Sequence, residues 1–145
     1  MLMPAVLQEQ GSKKIHKMID SLLCVGERIA PGITELDEAG HARVSAMIQH
    51  ALDRRRPALR RQLAIFLAVL RWSPVLRYGR RFDRLTPARQ DAVLRWFHDA
   101  PLAPLRQGFW GVRTLIYMGY YGRPEVAEAI GYRPSRTGNA FLHGP

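Results

Sequence analysis

The sequence predicts an all-α protein: a single small domain of about five to six helices with a short C-terminal tail. Three observations predict it. Apolar residues recur at three- and four-residue spacing along most of the chain. Pro and Gly breaks separate those runs. No stretch alternates as a half-buried strand would. With 145 residues, 47% of them hydrophobic, the chain is sized for one core.

The elements follow in order. Ile15, Met18, Ile19, Leu22 and Leu23 mark a first helix over residues 12–29, ended by Pro31-Gly32. Val44, Met47, Ile48, Ala51 and Leu52 mark a second, with Thr34 or Asp37 as its cap and acidic residues in its first turn. Pro57 suits the first turn of a third. Leu59, Leu63, Phe66, Leu67 and Leu70 form its stripe, and Ile65, Ala68 and Val69 widen it, so this helix is expected at the centre. Pro74 should kink or end it. A basic connector, Arg77 to Arg84, leads to Thr86-Pro87, a cap followed by Pro at the first helical position. The fourth helix is expected to turn Val93, Leu94, Trp96 and Phe97 inward and to close at Ala100-Pro101. The fifth runs from about Leu105 to Tyr120. Gly122-Arg123-Pro124 starts a short sixth that ends at Gly131. Residues 1–134 therefore read as one helical domain, and 135–145 as a flexible or partner-ordered tail.

Composition narrows the function. The net charge is +10, and 19 of the 22 basic residues are Arg. Such a chain attracts anions, whether nucleic acid, an acidic partner or a membrane surface. Cys24 is the single cysteine, which removes an intramolecular disulfide and a cysteine zinc site and fits a reducing compartment. The N-terminal MLMPAVLQEQGSKK has neither the basic start nor the long apolar run of a signal peptide. The eight-residue apolar run from Leu63 to Leu70 is too short to span a bilayer. The expected location is cytoplasmic, with export only if a partner carries it.

Chemistry of its own is hard to assemble from these residues. Glu38 and His41 have the Glu-x-x-His spacing of a di-iron ligand pair, but no second copy exists, so a solvated first helical turn explains them better. His98 sits where a helix C-terminus favours it. No phosphate-binding loop occurs, neither Gly-x-Gly-x-x-Gly nor Gly-Lys-Ser. No catalytic, cofactor-binding or metal-binding residue is assigned.

The last third is different. On a helical wheel Leu105, Phe109, Val112, Ile116 and Tyr120 form a core face, with Gly108 and Gly111 beside it where another backbone can approach. The opposite arc holds Arg106, Gln107, Arg113 and Thr114, interleaved with Trp110, Tyr117 and Tyr121. A solvated face carries Glu, Lys and Gln; Trp, Tyr and Arg are the types that anchor interfaces. Packing on neighbouring helices is the competing explanation for the aromatics.

The segment GFWGVRTLIYMGYYGRPEVAEAIGYRP resembles the C-terminal signature of the gluconate 2-dehydrogenase subunit 3 family. The matching pieces are Arg113-Thr114-Leu115, Tyr120-Tyr121, Pro124 to Ala127 and Ile130-Gly131-Tyr132. Arg81 to Leu102 also resembles that family, so the clear likeness covers about residues 81 to 134. The resemblance implies a non-catalytic small subunit in a hetero-oligomer with a large glucose–methanol–choline-type flavoprotein. It implies no cofactor in this chain and FAD in the partner. Partner-binding residues would be Trp110, Arg113, Tyr117, Tyr120, Tyr121, Pro124 and Tyr132. The chain departs from the family pattern in having no twin-Arg signal and in Arg133-Pro134 where Pro-Gly is usual. The alternative is a small basic helical nucleic-acid-binding regulator, resting on the clusters Lys13 to Lys17, Arg54 to Arg61 and Arg77 to Arg84.

Overall fold

A computed structural model describes residues 3–131. It contains α1 (Met3–Ile29), α2 (Glu38–Asp53), α3 (Pro57–Trp72), α4 (Val75–Tyr78), α5 (Pro87–His98), α6 (Ala103–Tyr121) and α7 (Pro124–Ala129), with 3-10 turns at Pro31–Glu35 and Phe82–Arg84. No strand occurs among the described residues. The all-α expectation holds. The first helix starts well before residue 12, because its leading Ala, Leu, Gln and Glu are good helix formers and Gly11 alone does not break it.

Local chemistry accounts for most boundaries. Asp37, not Thr34, caps α2: its carboxylate accepts a hydrogen bond from the Gly40 amide at 2.7 Å. Thr34 instead donates to the Pro31 carbonyl within the 3-10 turn. Thr86 holds the cap position of α5, but its side chain makes no capping bond; the Arg89 amide bonds the Thr86 carbonyl instead. Gly79 ends α4 in the left-handed region, at φ 67°, which reverses the chain there.

The centre of the molecule is α6, not α3. It packs against α1, α2, α3, α5 and α7. Its Phe109, Val112, Ile116 and Gly119 are buried, with Leu22, Ile33, Val44, Ile48, Leu70 and Phe97 completing the innermost layer. Two glycines allow the close approaches. A Cβ at Gly108 would collide with the Phe66 ring of α3, and one at Gly119 would lie 2.8 Å from Ile48 of α2. Gly111 differs from the expectation: nothing lies within 4 Å of where its Cβ would be. Helix α3 buries only Phe66, Leu67 and Leu70. Ile65, Ala68 and Val69 face outward, because α3 has neighbours on one side only. Trp96 is also exposed, lying off the Val93–Leu94–Phe97 arc that α5 presents to the core.

One ion pair ties distant elements. Arg28 at the end of α1 donates from Nε and a terminal nitrogen to the two oxygens of Asp91 on α5, at 2.9 and 2.6 Å. The Arg28 hydrogen bonds hold the Asp91 carboxyl below its ordinary range, and the Asp91 bond raises the guanidinium in turn. A carboxylate depressed in this way contributes stability that is fully present above its unfolded pKa of about 3.9. That contribution is lost as pH falls through the lower folded value.

Two predictions follow from this packing and pairing. Gly119→Ala should destabilise by about 1–3 kcal/mol through overpacking. Gly111→Ala, the same change eight residues away in open space, should stabilise by about 0.5–1 kcal/mol. Thermal melts followed by helical circular dichroism should therefore move in opposite directions. Asp91→Asn should lower stability at neutral pH by up to about 1 kcal/mol, since the pair is partly exposed, and the gap to the parent should close below about pH 4.

Candidate partner interface

All three tryptophans of the chain lie at the surface: Trp72, Trp96 and Trp110 are 56%, 52% and 49% exposed. Trp is among the residues least easily left in water and most often found anchoring interfaces. Trp110 is the best supported of the three. It stands on α6, one of the most firmly held elements, which carries two Arg and no acidic residue.

Around Trp110 the helix builds a continuous ladder. The His98 ring, from the end of α5, lies 5.5 Å from the Trp110 ring. The Arg113 guanidinium lies 5.2 Å over Trp110 on one side and 5.2 Å over Tyr117 on the other. Tyr117 meets Tyr121 edge-on at 5.6 Å, and Tyr121 meets Tyr120 at 5.0 Å. Spacings of three and four residues place Trp110, Arg113, Tyr117 and Tyr121 one above another on α6. Each Arg–ring contact is worth about 0.5–1 kcal/mol at such a site. Among the described residues no carboxylate pairs with Arg113. Its guanidinium is thus held flat and oriented, with its charge uncompensated.

The other residues of this region differ in accessibility. Tyr121 is exposed, while Tyr117 is half-buried against the core. Tyr120 is also half-buried and points its hydroxyl end at Gly32 in the first 3-10 turn, where a Cβ would collide with it. Arg123 covers Tyr120 from the other side, 4.8 Å over the ring, and donates from Nε to the Tyr120 carbonyl at 3.1 Å. Arg123 is only 6% exposed. Pro124 opens α7 and is exposed, and Glu125 beside it pairs with Arg43 of α2, fixing α7 to the body. Arg106 closes the α5–α6 turn by donating to the Ala100 and Pro101 carbonyls at 2.6 and 3.1 Å. Tyr132 and the tail from Ser135 lie outside the described residues.

Sequence reasoning missed what lies beside this ladder. An open groove runs between α3 and α6, with Ile65 and Val69 on one wall and Gln107, Gly108 and Gly111 on the other. Gly111 therefore joins the Trp110 face to an exposed aliphatic face of α3. The signal was present in α3, whose apolar arc is broader than one core contact requires.

The family model described as Gluconate 2-dehydrogenase subunit 3 matches residues 18–138. The chain belongs to that family. The description names a subunit of a dehydrogenase, and the match takes in α2 to α7 and the C-terminal part of α1, well beyond the C-terminal segment in which the likeness is most visible. The chain has no significant match among curated proteins or among solved structures. The whole Trp110 ladder and both walls of the groove fall inside the region matched to subunit 3.

No cluster of three or more His, Cys, Asp or Glu side chains occurs among the described residues, and Glu38 and His41 lie on the first turn of α2. No described helix is long and apolar enough to cross a membrane. The Cys24 thiol is pushed up from its ordinary value, first by burial and then by Glu27 and Asp83, which outweigh the lowering by Arg71. It should react with a disulfide reagent several-fold more slowly than a free thiol near pH 8, because the thiolate is the reactive form. A rate that rises through a pH above the free-thiol range of about 8.5 would confirm the direction of the shift.

Proposed function

We propose that this subunit 3 chain is non-catalytic and binds and stabilises a large FAD-dependent dehydrogenase or oxidase of the glucose–methanol–choline type, acting on a sugar, polyol or alcohol. The observation that carries the reading is the Trp110–Arg113–Tyr117 ladder, half-exposed on the central helix and preassembled before any partner arrives. Rigid aromatic anchors lose little freedom on binding, so more of their contact energy appears as affinity. Tyr121 and Pro124 extend the same face, Tyr120 supports it from beneath, and Tyr132 follows α7 in sequence. Gly111 leaves the α6 backbone open to a partner segment lying across the groove towards Ile65 and Val69.

In this reading the flavin and the hydride transfer belong to the large subunit. The absence of a phosphate-binding loop from the sequence supports that division. The small subunit acts by mass action: whatever binds only the native partner stabilises it, by about 2.7 kcal/mol when its free concentration is a hundred times Kd. The proposed location of the complex is the cytoplasm, in keeping with a single cysteine.

The test is recovery of the complex by the tagged full chain at about 0.3 M salt, where exposed charge attraction is largely screened. Wild type should bring down a large chain with flavin absorbance bands. Trp110→Ala combined with Tyr117→Ala should abolish that recovery while leaving the helical signal intact. Gly111→Leu should reduce capture by about tenfold or more without destabilising the free chain. Undiminished capture by both variants would refute this docking face, and capture of a chain without flavin would refute the assigned partner.

A further inference from the structure

A second concavity lies away from the Trp110 face, between α1 and the end of α3. It is lined by Lys14, Lys17 and Ser21 of α1, Arg71 and Trp72 of α3, and Arg81 of the connector. Four cations from three separate segments meet there. Lys14, Lys17 and Ser21 share one face of α1 by their spacing of three and four. Arg81 reaches the same place because the chain reverses at Gly79, and its guanidinium lies 5.6 Å over the Trp72 ring.

The charge at this cleft is not balanced within the described chain. Lys13 has a partner in Glu9, but Lys14 and Lys17 have none among the described residues. Asp83 is the carboxylate nearest the two arginines, 3.6 Å from Arg71 Nε and 3.4 Å from a terminal nitrogen of Arg81. Asp20 lines the adjoining hollow, which shares Lys17 and Arg71 with this one. Two carboxylates thus stand against four cations. The Arg71 Nε is itself buried and makes no hydrogen bond. A buried donor without an acceptor is unfavourable, and so is the convergence of like charges in a concavity whose apolar walls focus their field. An anion in the cleft offsets the converging positive charge.

We infer that this cleft binds a phosphate-bearing ligand. A phosphate offers several charged acceptor oxygens to donors arriving from different directions, which suits two ammonium groups and two guanidinium groups better than a single carboxylate does. The organic part of the ligand lies along the half-exposed face of Trp72 and the small side chains of Ala64 and Ala68. The phosphate belongs either to a soluble ester or to a lipid headgroup. Leu76 bears on the second source. It stands one turn beyond Trp72 on helical backbone continued through Ser73 and Pro74, and it is 94% exposed. An apolar side chain in that position enters the acyl boundary when the cleft holds a headgroup.

The test uses the full chain at about 0.15 M salt in two arms. One titrates pyrophosphate and adenosine triphosphate by calorimetry. The other sediments the protein with phosphatidylcholine vesicles that contain, or lack, about one third phosphatidylserine. Saturable binding is expected in at least one arm. Lys14→Gln with Lys17→Gln, and separately Arg81→Gln, should weaken it by about tenfold or more. The control removes charge elsewhere: Arg54→Gln, Arg55→Gln and Arg56→Gln together should leave affinity within about twofold. Binding of the soluble phosphates assigns a phosphate ester; binding of the anionic vesicles alone assigns a headgroup. No saturable binding in either arm, or equal weakening by the control, overturns the site, because the second result is that of diffuse attraction to a basic chain.

Discussion

A helix that must accept neighbours on several sides has to be thin where they press closest, and α6 meets that constraint with glycine. Gly108 admits the Phe66 ring from α3, and Gly119 admits Ile48 and Val44 from α2. Each glycine in a helix interior costs about 0.5–1 kcal/mol relative to alanine. The close packing of large buried side chains offsets that loss, since a fully buried aliphatic or aromatic side chain contributes about 1.5–3 kcal/mol. The rest of the fold follows from this choice. With α6 gripped by α1, α2, α3 and α5, its remaining side is a rigid platform, and the aromatic ladder is built on that platform.

The same organisation explains why so much apolar surface is left outside. Helix α6, not α3, takes the central position, so α3 lies at the flank with Ile65, Val69 and Trp72 uncovered. A small monomer rarely leaves several large apolar groups exposed side by side unless something else covers them. Membership of the gluconate 2-dehydrogenase subunit 3 family is in keeping with that surface, since a subunit is a chain that other chains cover. The positive charge is spread around it, and the Arg113 guanidinium is shielded by rings instead of being neutralised by carboxylates.

Much of this was legible in the sequence wherever the deciding interactions are local. The helical class, the Pro57, Pro87 and Pro124 starts and the core face of α6 all depend on spacing within a few residues. So does the run Trp110, Arg113, Tyr117 and Tyr121, whose members are three or four positions apart; His98 joins it from α5. What was not legible depends on which neighbour arrives. The breadth of the apolar arc on α3 could be read, but not that only one side of it would be covered. Trp96 is apolar and next to Phe97, yet the direction of α5 turns it outward. Gly108 and Gly111 look alike as residues, and only the placement of Phe66 separates them. The basic cleft joins residues 14 and 17 to residue 81, and no local pattern foretells that meeting, because it rests on the chain reversal at Gly79.

Gly32 and Tyr120 form a matched pair across the fold: one has no side chain, and the other places its hydroxyl in the space that leaves. The two positions are therefore not free to change separately over evolutionary time. A related chain that acquires a side chain at position 32 must shorten or turn away the residue at position 120, and Arg123, which lies over that ring, must resettle with it. The first 3-10 turn and the end of α6 are thus expected to carry correlated substitutions among relatives, although a large part of the chain separates them.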